Sequence, residues 1–284
     1  MDTENTSLRP LSESRRIVVK VGTSTLTHRT GRMNLRRFHN LVRVLADLSN
    51  AGKQLILVSS GAVGLGVGQL GLRERPTDTP TKQACAAVGQ CELMYLYDRQ
   101  FANYSVNVAQ VLLTKAILNS NGGTNAGNCM ERLLDLGVIP IVNENDSVAT
   151  YEYSVGDNDN LSAMVASLMQ ADLLILLSDI DGLYTDDPRI NPDARFIEYV
   201  PVVDDQVMNM AKGTTGSESG TGGMYTKLQA AMIATRSGCD MIIVNSRHMD
   251  VIHEVIQGRS HGTLFRACGD GNFDLQGYVE SYYS

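Results

Sequence analysis

Short apolar runs alternate with longer stretches of helical period through most of this chain, and that alternation specifies a parallel sheet flanked by helices. The spacing predicts strands over 17–21, 55–58, 106–113, 138–142, 173–177, 241–244 and 263–265. Between them fall a helix opening at Asn34 and helices over 81–103, 125–136, 161–169, 225–237 and 251–256. The Asn34 helix is the best defined: Leu35, Phe38, Leu41, Val42, Leu45 and Leu48 make one apolar stripe, and Gly52 stands where a C-terminal cap belongs. Residues 179–223 are rich in Pro, Gly, Ser and Thr and read as loops. Residues 1–14 are polar and expected to be disordered, and 268–284 form a polar tail. Nothing between them forces a boundary, so 15–267 reads as one domain with two lobes.

A formal net charge of −7 argues against a nucleic-acid surface, so any anionic substrate has to be met by locally placed lysines and backbone amides. Five cysteines without a Cys-x-x-Cys pair suit reduced thiols. No apolar run reaches the ~18 residues a membrane span needs, and the first residues lack an apolar leader core. The expectation is a soluble cytoplasmic protein.

Several glycine-rich loops sit at strand ends, where parallel sheets bind ligands and backbone amides can approach phosphates. The pattern G-x-x-x-x-G-K-S/T is absent, which excludes a P-loop enzyme. A formal G-x-G-x-x-G at Gly66, Gly68 and Gly71 begins several residues past the strand end, too late for a dinucleotide turn.

Four segments carry more. Val19-Lys20-Val21-Gly22 puts a lysine inside an apolar strand, a costly place unless the ammonium is paired or used; a snorkelling edge lysine is the plain alternative. Ser59-Ser60-Gly61 ends the next strand with small residues that leave room for a ligand, as an ordinary tight turn also would. Asn143-Glu144-Asn145-Asp146 and Gly156-Asp157-Asn158-Asp159-Asn160 cluster carboxylates and amides at a strand end and a helix start. They can hold an ammonium group, a hydrated metal ion or lysines facing phosphates, or simply make a turn and a cap. Gly220 to Lys227 runs a glycine loop into a helix with a lysine in its first turn, where cations are disfavoured unless they face an anion; a plain linker is the alternative.

Together these segments resemble the glutamate 5-kinase branch of the amino acid kinase family. VVKVGTST, SSGAVGLG, PIVNENDSVAT, VGDNDNLSA, SDIDGLYTDDPR and GTGGMYTKLQAA all look like motifs of that branch, in order, over about 15–267. The resemblance implies a three-layer αβα sandwich around an open, mostly parallel sheet of about eight strands, an α/β class. One lobe would bind glutamate and the other ATP. By position, Lys20 and Lys227 match lysines flanking the transferred phosphoryl group, and Asp159 the acid that orients them. Ser60, Gly61, Asn143, Asp146, Asp157 and Asn158 match glutamate-binding positions. Lys20, Gly22, Ser178, Asp179 and the run Thr221, Gly222, Gly223, Met224, Tyr225, Thr226, Lys227 match the nucleotide site. Mg²⁺ is implied with ATP, held mainly by its phosphates and not by direct protein ligands.

The resemblance also implies L-proline as feedback inhibitor, with the loop from Gly61 to Lys82 as its place. A glutamyl phosphate reductase would consume the product, in a homo-oligomer of dimer or tetramer type with no nucleic-acid or membrane partner. Many bacterial members continue into a PUA domain, for which this chain is expected to be too short. Competing readings are a sibling kinase for N-acetylglutamate, aspartate or uridylate, a non-catalytic amino-acid sensor on the same fold, and, more distantly, a dinucleotide-dependent oxidoreductase.

Overall fold

The computed structural model describes residues 9–28, 30, 32–114, 121–148, 158–211, 223–259, 262–269, 273–275 and 277–278. Ten described strands are β1 (Arg16–Val21), β2 (Gln54–Ser59), β3 (Val108–Leu113), β4 (Ile139–Glu144), β5 (Leu173–Ser178), β6 (Leu183–Tyr184), β7 (Phe196–Ile197), β8 (Tyr199–Val200), β9 (Asp240–Asn245) and β10 (Thr263–Phe265). Eight of them form one sheet in the order β3-β4-β2-β1-β5-β9-β10-β8, and β6 pairs with β7 in a separate hairpin. The pairings from β3 to β9 are parallel, and β10 turns back antiparallel on β9.

The described helices are α1 (Thr23–Leu26), α2 (Leu35–Asn50), α3 (Ala62–Gln69), α4 (Thr79–Ala102), α5 (Asn121–Asp135), α6 (Asn158–Leu168), α7 (Asp205–Asn209), α8 (Met224–Arg236) and α9 (Val251–Ile256). They cover both faces of the sheet, because its central strands are apolar on both sides. Ile17, Val19, Leu57, Ile175 and Val244 point into the layer holding α2, α4 and α9. Val18, Val58, Leu176 and Ile243 point into the layer of α6 and α8. The expected three-layer α/β architecture is therefore the observed one.

Local signals placed most elements. The Asn34 side chain caps α2 by accepting from the Arg37 amide, and Asp78 does the same for α4 at Thr81. Three stretches differ from the sequence expectation. Residues 9–14, placed in a disordered extension, instead make a single 3-10 turn over Leu11–Glu13. Arg9 is anchored on Asp172 at 2.5 Å, and the Asp172 carboxylate also accepts the Arg15 and Arg16 amides. The loop expected from Gly61 to Lys82 contains α3 and the first turn of α4. Residues 179–211, read as loop, hold three two-residue strands and α7.

The misleading G-x-G-x-x-G has a packing explanation. A Cβ on Gly66 would meet the Cys85 carbonyl oxygen at 1.9 Å, and one on Gly89 would meet the Ala62 carbonyl oxygen at 1.8 Å. These two glycines let α3 and α4 touch backbone to backbone.

Candidate active site

The C-terminal ends of β1, β2, β4 and β5 bring the chemistry-bearing segments together. Lys20 lies one residue from the end of β1, between Val58 of β2 and Leu176 of β5. Its ammonium reaches the first turn of α6 and meets Asp159 Oδ1 at 2.5 Å. From the other side Lys227, in the first turn of α8, meets Asp159 Oδ2 at 2.8 Å. All three groups are nearly removed from solvent; Asp159 is 1% exposed. Burial alone would raise the Asp159 pKa, but the charges and hydrogen bonds of Lys20 and Lys227 outweigh it and hold the carboxyl below the usual carboxylate range. The Thr226 hydroxyl adds a longer contact to Oδ2 at 3.4 Å.

These pairings explain both sequence anomalies. The lysine in an apolar strand is tolerated because a buried carboxylate faces it. The lysine at the start of α8, unfavourable against the helix dipole, faces that same carboxylate. Asp159 in turn sits at the start of α6, where the dipole favours an anion. One carboxylate against two ammonium groups leaves a net positive locus at the sheet edge, which suits the phosphates of a nucleotide.

Beside it stands a buried amide cluster. Asn158 Nδ2 donates to Ser60 Oγ at 2.8 Å and to Asn143 Oδ1 at 2.9 Å. Asn143 Nδ2 donates to Gln90 Oε1 at 2.9 Å, and Gln90 Nε2 to Gln110 Oε1 at 3.3 Å. This polarity matters. With both Asn158 amide protons used inside the cluster, its Oδ1 stays an acceptor for an incoming ammonium group. Ser60 Oγ already accepts, so its proton is available to an incoming carboxylate.

Asp146 lies past the end of β4 and is half-buried. Its carboxylate meets no hydrogen-bond donor among the described residues. Burial pushes its pKa up to about 6, with the charge of Arg75 acting in the opposite direction. It is a carboxylate that gains from the arrival of a cation.

The remaining candidates are spread along the same edge. Gly61 opens α3 in a left-handed turn with φ 117°, a conformation open to glycine and strained for other residues. Gly22 caps α1 beside Lys20. Ser178 ends β5 and donates to Asp179 Oδ1 at 3.3 Å. Gly223 is the N-cap of α8, where its carbonyl accepts the Thr226 hydroxyl; Met224 is half-buried and Tyr225 exposed. Asp157, Thr221 and Gly222 lie outside the described residues. Among the described residues no group of three His, Cys, Asp or Glu gathers as a metal site.

Sequence reasoning missed Gln90, Gln110 and Tyr97. Gln90 had a readable signal, a lone amide on the buried stripe of α4 beside Cys85, Ala86 and Leu93.

Residues 15–245 match the model of the amino acid kinase family. A glutamate 5-kinase of Clostridium tetani is 51% identical over 258 residues, covering 90% of this chain and 96% of that protein. Those of Clostridium perfringens and Symbiobacterium thermophilum are 49% and 50% identical, covering 91% and 90% of this chain and 98% and 97% of theirs. Among solved structures, carbamate kinase from Giardia lamblia bound to AMP-PNP aligns with a TM-score of 0.63 at 17% identity, covering 89% of this chain and 98% of that one. UMP kinase from Ureaplasma parvum aligns at 0.62 and 14%, with the same coverage. At such identities the two structures show a shared fold.

Proposed function

The chain belongs to the amino acid kinase family, and on that premise we propose that Lys20, Lys227 and Asp159 carry its phosphoryl transfer. The reaction is ATP-dependent phosphorylation of the side-chain carboxylate of L-glutamate, giving L-glutamyl 5-phosphate and ADP, the first step of proline biosynthesis. The observation that carries the assignment of residues is the grip of two lysines, from opposite ends of the chain, on the two oxygens of one carboxylate.

Glutamate's side chain has an ordinary pKa of about 4.3, so near neutrality it is already a nucleophile and no general base is required. The protein's task is to align two anions and to stabilise charge on the transferred oxygens. Lys20 and Lys227 meet that charge, while Asp159 pairs with both ammonium groups and aims them. Ser60 and Gly61 donate to the acceptor carboxylate. Asp146, Asp157, Asn158 and Asn143 recognise the amino-acid end; an anion at Asp146 favours a free α-ammonium over an N-acetylated one. Gly22, Ser178, Asp179 and the run from Thr221 to Lys227 hold the nucleotide. Mg²⁺ accompanies ATP and neutralises phosphate charge.

The kinase unit spans 15–267, with the glutamate lobe first and the ATP lobe second. Proline as feedback inhibitor at the segment from Gly61 to Lys82, a reductase as consumer of the product, a homo-oligomer and a cytoplasmic setting complete the reading. Among the described residues no helix is long and apolar enough to cross a membrane. ADP release with glutamate, N-acetylglutamate and aspartate tests the reading: turnover is expected with glutamate and not with the other two, and preference for either of those overturns it.

A further inference from the structure

Behind the Ser60–Gly61 turn lies a buried hydroxyl pair that the reaction as described leaves unused. Tyr97 of α4 and Ser59 at the end of β2 are both 0% exposed. The Tyr97 ring is packed between Phe38 and Phe101, with centroids 4.9 and 6.3 Å away. A phenol there needs a partner, since a buried hydroxyl without one is strongly unfavourable. Its partner is Ser59 Oγ at 2.8 Å. Ser59 Oγ donates in turn to the carbonyl oxygen of Ser60 at 3.2 Å. The Ser59 proton is thereby used, so in the pair Tyr97 is the donor.

The consequence falls on the next peptide. Ser59 faces the α2 and α4 layer, in phase with Leu55 and Leu57, whereas Ser60 faces α6 and meets Asn158. The Ser60 carbonyl is drawn toward the α4 side by Ser59. In a trans peptide the following N–H points the opposite way. The Gly61 N–H is thus turned to the side where Ser60 Oγ and Asn158 lie. Gly61 itself, at φ 117°, is a residue whose backbone has other accessible conformations. A hydrogen bond on the preceding carbonyl is what selects one.

We propose that Tyr97 is a positioning residue. Through Ser59 it fixes the Ser60–Gly61 peptide so that the Gly61 N–H faces the anion at the acceptor site. This rests on the glutamate-kinase reading and adds to it a second layer that touches no substrate.

The test compares Tyr97→Phe, which keeps the ring, with Ser59→Ala, Ser59→Thr and the double variant Tyr97→Phe/Ser59→Ala, in steady-state kinetics of the full chain. Thermal unfolding by circular dichroism shows that each variant is folded. Both hydroxyl deletions lower kcat with glutamate, Ser59→Ala by about tenfold, and leave KM for ATP within about twofold. The double variant is no slower than the slower single one, and Ser59→Thr retains wild-type kcat. Wild-type kcat in both deletions, losses that multiply in the double variant, or a Ser59→Thr variant as slow as Ser59→Ala overturns the proposal while leaving the parent reading intact. Absence of glutamate-dependent turnover in the wild-type chain overturns the parent reading and this inference with it.

Discussion

Lys20 on β1 and Lys227 on α8 are held together by one carboxylate, Asp159, at 2.5 and 2.8 Å. With these residues as the proposed catalytic group, the arrangement couples catalysis to folding. Two ammonium groups buried side by side would repel, and the acid between them is what makes the site compatible with a packed interior.

Asp159→Asn therefore weakens the fold as well as the reaction. The variant is expected to lose about 3–5 kcal/mol of stability near pH 7, as for other buried pairs that lose one partner. Urea titrations across pH check the cause. The folded pKa of Asp159 lies below its unfolded value, so its contribution is present above about pH 4 and is lost as pH falls further. The gap between wild type and variant narrows in acid.

Lys20→Ala and Lys227→Ala separate the lysines' chemical role from binding. Each is expected to lower kcat about 10²–10³-fold, the scale for losing a preorganised electrostatic donor, with a smaller change in KM for glutamate. Steady-state kinetics with both substrates varied decides it. A near-normal kcat in either variant removes that lysine from the mechanism.

Asp146 predicts a pH signature. Its pKa near 6 means that the anion proposed to meet the α-ammonium group is lost as pH falls through 6. KM for glutamate is expected to rise below that pH, and Asp146→Asn to have a high, pH-flat KM. The stability effect has the opposite sign to that of Asp159. A raised folded pKa makes ionisation unfavourable above the unfolded value, so Asp146→Asn is expected to gain about 1–2 kcal/mol near pH 7. That gain fades toward pH 4, as both species become neutral.

The α3–α4 contact gives a purely structural prediction. Gly66→Ala or Gly89→Ala drives a methyl into backbone carbonyl oxygens, and about 1–3 kcal/mol of destabilisation is expected, the range for overpacking. Gly64→Ala is the control: its methyl meets only the Thr23 side chain at 3.6 Å, an ordinary contact, and alanine favours the helix. Thermal unfolding of the three variants distinguishes them.

Much of this was legible in the residues because local physics dominated there. Asn34 capped α2 as its residue type and spacing foretold, and the apolar runs at 17–21, 55–58 and 173–177 became central strands because both faces are covered. What escaped was set by tertiary contact. Helix α3 carries Gly64, Gly66 and Gly68, poor helix formers, and its place is set by docking on α4. The strands at 183–184, 196–197 and 199–200 are too short to show a period. In the site, Lys20, Lys227 and Asp159 were visible as anomalies of placement. Tyr97 was not, since it is unremarkable on a helix until Ser59 is brought beside it, and the lone amide of Gln90 on a buried stripe takes on a role only beside Asn143.

The most direct test of the central claim is to trap the product. An acyl phosphate formed on the glutamate side chain reacts with hydroxylamine to give a hydroxamate. The account predicts hydroxamate that requires both ATP and L-glutamate, fails to form with N-acetylglutamate, and is lost in Lys227→Ala. ATP turnover without hydroxamate, or hydroxamate undiminished in Lys227→Ala, contradicts it.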